Sequence, residues 1–101
     1  MTVPQVQAVV TADRRLVILR VLVEYRGALN SPTLESAVRA MGHRYIDRAL
    51  IIDDIRWLEL RGLMTVETLR PDVLDVTLTP KGERAAAGGE WVEGIARPSG
   101  G

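Results

Sequence analysis

The stretch Trp57-Leu-Glu-Leu-Arg-Gly62-Leu63-Met-Thr-Val-Glu67 constrains the fold more than any other part of this chain. A segment suited to a helix stops at a glycine, the residue type that most readily takes the left-handed backbone of a helix end. A strand-like run begins at once, from about Leu63 to Leu69. In a second run, Leu74, Val76 and Leu78 alternate with Asp75, Thr77 and Thr79, the period-two pattern of a half-buried strand. Arg70-Pro71-Asp72 between them has the composition of a tight turn. The reading is a helix, a glycine stop and a hairpin.

Helical patterns occupy most of the remainder. Residues 1–10, with Pro4 and alternating Val and Gln, read as a frayed arm or a short strand. Thr11 reads as an N-cap, with Asp13 favourably placed in the first turn. The first helix then runs to about Arg26, with Leu16, Leu19 and Val23 as its apolar stripe and Arg14, Arg15, Arg20 and Glu24 mainly on the other side. Asn30-Ser31-Pro32 opens a second helix, with Ser31 as cap and Leu34, Ala37, Val38 and Met41 as stripe. The spacing predicts a third helix over roughly Arg44 to Arg61, after a short corner at Gly42 and His43. A last helix starts at Thr79-Pro80 and stops at Gly88-Gly89. In the tail, Trp91, Val92 and Ile95 are candidates to dock on the core, and Pro98 to Gly101 reads as disordered. The expected organisation is an arm over 1–10, one domain over 11–88 and a tail over 89–101.

The 101 residues fit one domain with a modest core. With no cysteine, a disulfide framework and a thiolate metal site are excluded, which points to a reducing compartment. The start lacks a basic n-region and a cleavage site, and the apolar run Leu16 to Val23 is interrupted by Arg20, so neither a signal peptide nor a membrane partner is expected. A cytoplasmic protein is the expectation. Thirteen basic residues balance thirteen acidic ones, which counts against strong nonspecific binding to nucleic acid but leaves room for a local patch. His43 is the one histidine, and Asp53 and Asp54 diverge by about 100° on a helix, so neither a metal site nor a paired-carboxylate site converges. No nucleophile–base set, P-loop or dinucleotide fingerprint is present, so a non-enzyme without cofactors is expected.

Leu58-Glu59-x-x-Gly62-Leu63 and Leu78-Thr79-Pro80-Lys81-Gly82, in the order α-α-α-β-β-α, resemble the winged helix-turn-helix superfamily. Small bacterial and phage regulators of the ArsR and MarR type are the most similar in this respect, over about Thr11 to Gly88. The resemblance implies a mostly α fold with a small β-hairpin and a transcription regulator whose third helix enters the major groove of double-stranded DNA. By that resemblance His43, Arg44, Tyr45 and Arg48 at the start of helix 3 contact DNA. Thr33 and Ser36 near the start of helix 2 brace on phosphate, and Arg70 at the wing tip touches flanking DNA. A homodimer would supply the second half-site. ArsR-type regulators often sense metals through cysteine or histidine clusters, and this chain departs from them in having neither.

Helix 3 departs from the pattern of a recognition helix. Ile51, Ile55 and Leu58 share one face, while Ile46, Ala49, Leu50, Asp53, Trp57 and Leu60 lie opposite, so both faces are apolar. Either the helix is central and packed on two sides, or Trp57, Ile46, Leu50 and Leu60 form a partner surface, to which Trp91 of the tail is a further candidate. The second alternative makes the chain a protein-interaction module without DNA binding. The simplest nonfunctional role for Arg44 is pairing with Asp47, and for Arg48 pairing with Asp47 and Glu59.

Overall fold

The computed structural model describes residues 1–98; the expected disorder of 99–101 lies outside the described residues. The elements are α1 (Val3–Glu24), β1 (Ala28–Asn30), α2 (Ser31–Ala40), α3 (Arg48–Leu60), β2 (Met64–Arg70), β3 (Val73–Leu78) and α4 (Pro80–Ala87). The fold is α+β, with four helices and a three-stranded antiparallel sheet in the order β1-β3-β2 among the described residues. None of these helices is long and apolar enough to cross a membrane.

The hairpin forms as its alternation predicts. Met64 pairs with Leu78, Val66 with Val76 and Thr68 with Leu74, and the register shifts between Thr68 and Arg70 just before the turn. Leu74 and Val76 on the inner face are buried. The core they close contains Ile18, Leu19 and Leu22 of α1, Leu34 and Val38 of α2, and Ile51, Ile55 and Leu58 of α3.

The two short motifs at either end of the hairpin meet in space. The Thr79 hydroxyl donates to the Gly62 carbonyl at 2.6 Å and accepts from the Gly82 amide at 3.1 Å, so one side chain joins the stop of α3 to the start of α4. Lys81 Nζ donates to the Arg61 carbonyl at 2.9 Å, satisfying a group at the open C-terminal end of α3. Gly82 is required there because a Cβ would overlap the Leu63 carbonyl oxygen and lie 2.6 Å from Leu78 Cδ1.

The fold corrects several expectations. Residues 3–10 are helix rather than arm or strand, because Thr2 and Gln5 form a capping box with proline in the first turn; Thr11 lies inside α1. Asn30, not Ser31, caps α2, its side chain accepting from the Thr33 amide at 2.9 Å. Ser31 is instead buried and accepts from the Leu74 amide at 3.0 Å, tying α2 to β3. β1, pairing Ala28 with Thr77 and Asn30 with Asp75, has no counterpart in the sequence reading, since three residues are too few to show a period. α3 starts at Arg48 behind an Asp47 cap, so His43, Arg44 and Tyr45 precede the helix. On α1 the core face holds Ile18, Val21 and Leu22 together with Leu16 and Leu19, while Val23 is exposed; Met41, just past the end of α2, is exposed too. Arg14 is buried, contrary to its expected outward position, because it pairs with a carboxylate on α3.

Candidate nucleic-acid interface

The segment between α2 and α3 is anchored at both ends. His43 Nε2 lies 2.8 Å from Asp13 Oδ2 on α1. Ile46 is buried, and its carbonyl accepts from Arg39 Nη2 at 3.0 Å. Between these anchors, Arg44 and Tyr45 are exposed, Tyr45 to 96%. Asp47 then caps α3 by accepting from the Leu50 amide at 2.8 Å. The corner is therefore fixed in place while two side chains of the expected contact set stay in solvent.

Arg48, the first residue of α3, joins three elements. Its Nε donates to Glu35 Oε1 of α2 at 2.8 Å, and its Nη1 donates to the Asp72 carbonyl at the hairpin tip at 3.4 Å. Glu35 also accepts from Arg39 at 2.8 Å. The hydrogen bond from Arg48, and next that from Arg39, holds the Glu35 carboxyl below the usual carboxylate range. Ser31 and the Asn30–Asp75 pairing set the start of α2 beside β3. Through these contacts α2, the start of α3 and the hairpin tip meet around Arg48, Glu35 and Asp72, with Ser31 tied to Leu74; Thr33, Ser36, Arg44, Tyr45 and Arg70 lie on the same elements or on the segment before α3. Thr33, Ser36 and Arg70 are exposed, and neither Arg44 nor Arg70 makes an ion pair among the described residues.

The charge of the corner is uneven. Arg48 is engaged by Glu35 and by Asp72, whose Oδ2 lies 3.8 Å from Nη1, rather than by Asp47 or Glu59. Its guanidinium is held in orientation but largely neutralised. Arg44 and Arg70 carry the free positive charge. His43 is engaged by Asp13 with its side chain only 13% exposed, so it braces the loop.

The residues expected to form a partner surface differ in exposure. Ile46 is buried, Leu50 is half-buried and Leu60 is 82% exposed. Trp57 is covered by two guanidinium groups, Arg15 at 3.8 Å and Arg61 at 3.5 Å from the ring centroid, and Gly94 packs so closely that a Cβ there would lie 2.6 Å from Cζ2. Ile95 of the tail is buried and Val92 half-buried, but Trp91 remains 57% exposed, with Arg97 at 4.8 Å.

Beneath Trp57 lies a cluster the sequence reading missed. Asp54 of α3 is buried and takes both Arg14 Nε and, at 3.1 Å, Arg14 Nη2. Arg15 Nε sits 3.6 Å from the same carboxylate, while Arg15 Nη1 donates to the Gly94 carbonyl at 3.1 Å. Burial pushes the Arg15 guanidinium below its ordinary pKa, opposed by Asp54. The partners lie 40 residues apart, so no local spacing signals the pair.

Among curated proteins, gp26, an uncharacterized protein of Escherichia phage Mu, is 40% identical over 90 residues, 89% of this chain and 92% of its own length. An uncharacterized protein of Haemophilus influenzae strain Rd is 35% identical over 72 residues, 71% of this chain and 70% of its own length. No family profile matches the chain, and no solved structure does.

Proposed function

The chain belongs to the family of the phage Mu protein gp26, and from its own geometry we propose that it is a small winged-helix DNA-binding protein that acts in transcription control. The observation that carries this reading is the meeting of α2, the start of α3 and the hairpin tip around Arg48. A helix-turn-helix with a wing uses that arrangement, the second helix of the motif entering the major groove through its N-terminal residues. Arg44 and Arg70 would supply the free charge for phosphate, Thr33 and Ser36 the hydroxyls that brace on the backbone, and Tyr45 a contact beside the groove. Arg48, held by Glu35, acts mainly by positioning, and gains a DNA contact only if it exchanges Asp72 for phosphate.

The protein-interaction reading of the Trp57 face is the weaker of the two, because Arg15, Arg61 and Gly94 cover the ring and Ile46 is buried. Fluorescence anisotropy with a mixed-sequence duplex across a salt series tests the DNA reading. The expected result is binding that weakens steeply with salt, with the slope of log affinity against log salt reduced by about one for Arg44→Ala. Salt-independent affinity, or none at low salt, would overturn it.

A further inference from the structure

The first turns of α1 and a groove at its C-terminal end each leave apolar surface uncovered. Residues 1–10 are all exposed, with Val3 at 71%, Val6 at 44% and Val10 at 45%. These three valines recur at three- and four-residue spacing, which aligns them in one stripe along the helix. From Thr2 to Ala12 no side chain is charged, so this end lacks the ionic groups of an ordinary solvated helix face. β-branched residues are also modest helix formers, so beyond its capping box this helix end gains little from intrinsic propensity. Among the described residues nothing covers that stripe.

Towards the other end of the same helix, the C-terminal half of α1, the end of α2 and α4 enclose a groove of about 940 Å³. Val23, Tyr25, Ala37, Met41 and Ala86 line it, with Val23, Tyr25 and Met41 each between 45% and 63% exposed. Its ionisable side chains balance, Arg20 and Arg84 against Glu24 and Glu83, so an uncharged segment meets no excess of either sign.

We infer that the groove receives the N-terminal end of α1 from a second copy of this chain, and that two copies exchange these ends reciprocally. The occupant cannot come from the same molecule. α1 runs unbroken from Val3 to Glu24, and Val6 and Val23 are separated by roughly 26 Å at the helical rise of 1.5 Å per residue. Two α1 helices set antiparallel about a twofold axis bring each bare end alongside the other's groove. The interface is then isologous and closes at two copies, with two equivalent helix-in-groove contacts. This inference involves none of the residues of the Arg44–Arg48–Arg70 corner and does not rest on the DNA reading.

Sedimentation velocity on the full chain, from about 1 to 100 μM, tests it by mass action. The expected species is a dimer. Val6→Glu with Val10→Glu places charge on the stripe, and Val23→Glu with Met41→Glu places it in the groove. All four side chains are exposed in the single chain, so each pair is expected to keep its circular dichroism spectrum while dimerisation weakens by more than about tenfold. Mixing the two variants restores one intact helix-in-groove contact, so the mixture is expected to associate more strongly than either alone. A wild-type chain that stays monomeric throughout the range would overturn the inference, whether its groove is empty or takes an apolar small molecule. So would a dimer indifferent to both substitutions, or variants that fail to rescue one another.

Discussion

Two groups of arginines in this molecule differ in what surrounds them. At the tail side of α3, buried Arg14 and half-buried Arg15 meet Asp54, and Arg15 and the exposed Arg61 lie over Trp57. At the other end of α3, Arg44 and Arg70 face solvent with no carboxylate partner among the described residues, and Arg48 is tethered by Glu35 and Asp72. A formal net charge of zero hides this division. The balance of charge says little about binding when part of the positive set is consumed by the fold. What matters for a polyanion is which arginines remain unpaired, and where.

The difference can be tested by breaking each group in turn. Asp54→Ala should have the largest effect, since it leaves Arg14 buried without its partner. A loss of about 3–5 kcal/mol is expected in chemical denaturation; a loss under about 1 kcal/mol, the scale of an exposed pair, would show that Arg14 is not held in the interior. Replacing Arg44 and Arg70 together by Ala should do the reverse. Their stability cost should stay within about 0.5 kcal/mol as for other exposed positions, while duplex affinity falls and the salt slope drops by about two. A double variant that unfolds, or that binds DNA as before, would erase the contrast between the two groups.

Glu35 gives the smallest effect and sharpens the boundary between the groups. Its folded pKa is depressed by Arg48 and Arg39, so its contribution to stability is present above the ordinary glutamate value and is lost as pH falls through the folded value. A carboxyl-carbon NMR titration should place its midpoint below the usual glutamate range, with the Arg48 side-chain resonances changing over the same interval. A midpoint at or above that range would mean that Arg48 is not tethered.

The hairpin, α4 and the stop of α3 were legible because their signals are local: alternation over Leu74 to Leu78, a Thr-Pro cap, and glycine at Gly62 and Gly88. The core face of α3 was legible for the same reason, through Ile51, Ile55 and Leu58. What escaped depends on contacts between distant segments. β1 exists because β3 offers an edge, and Arg14 is buried because Asp54 is there to receive it. The start of α1 was missed although Thr2 and Gln5 stand at capping-box spacing, because the alternating valines suggested a strand. At the candidate interface, the exposure of Arg44, Tyr45 and Arg70 follows from the chain's turns, and Glu35–Arg39 is a readable four-residue pair. The coupling of Arg48 to Glu35 and Asp72, which decides how much charge the corner presents, arises only when α2, α3 and the hairpin pack.

An amide-resolved NMR titration of the full chain with mixed-sequence duplex DNA, at low and then near-physiological salt, shows whether the Arg44–Arg48 corner binds DNA. Salt-sensitive shifts are expected, confined to Thr33–Ser36, Arg44–Arg48 and Arg70–Asp72, with the amides around Arg14, Asp54 and Trp57 unmoved. No shifts at low salt, or shifts centred on the Trp57 side, would contradict binding at this corner.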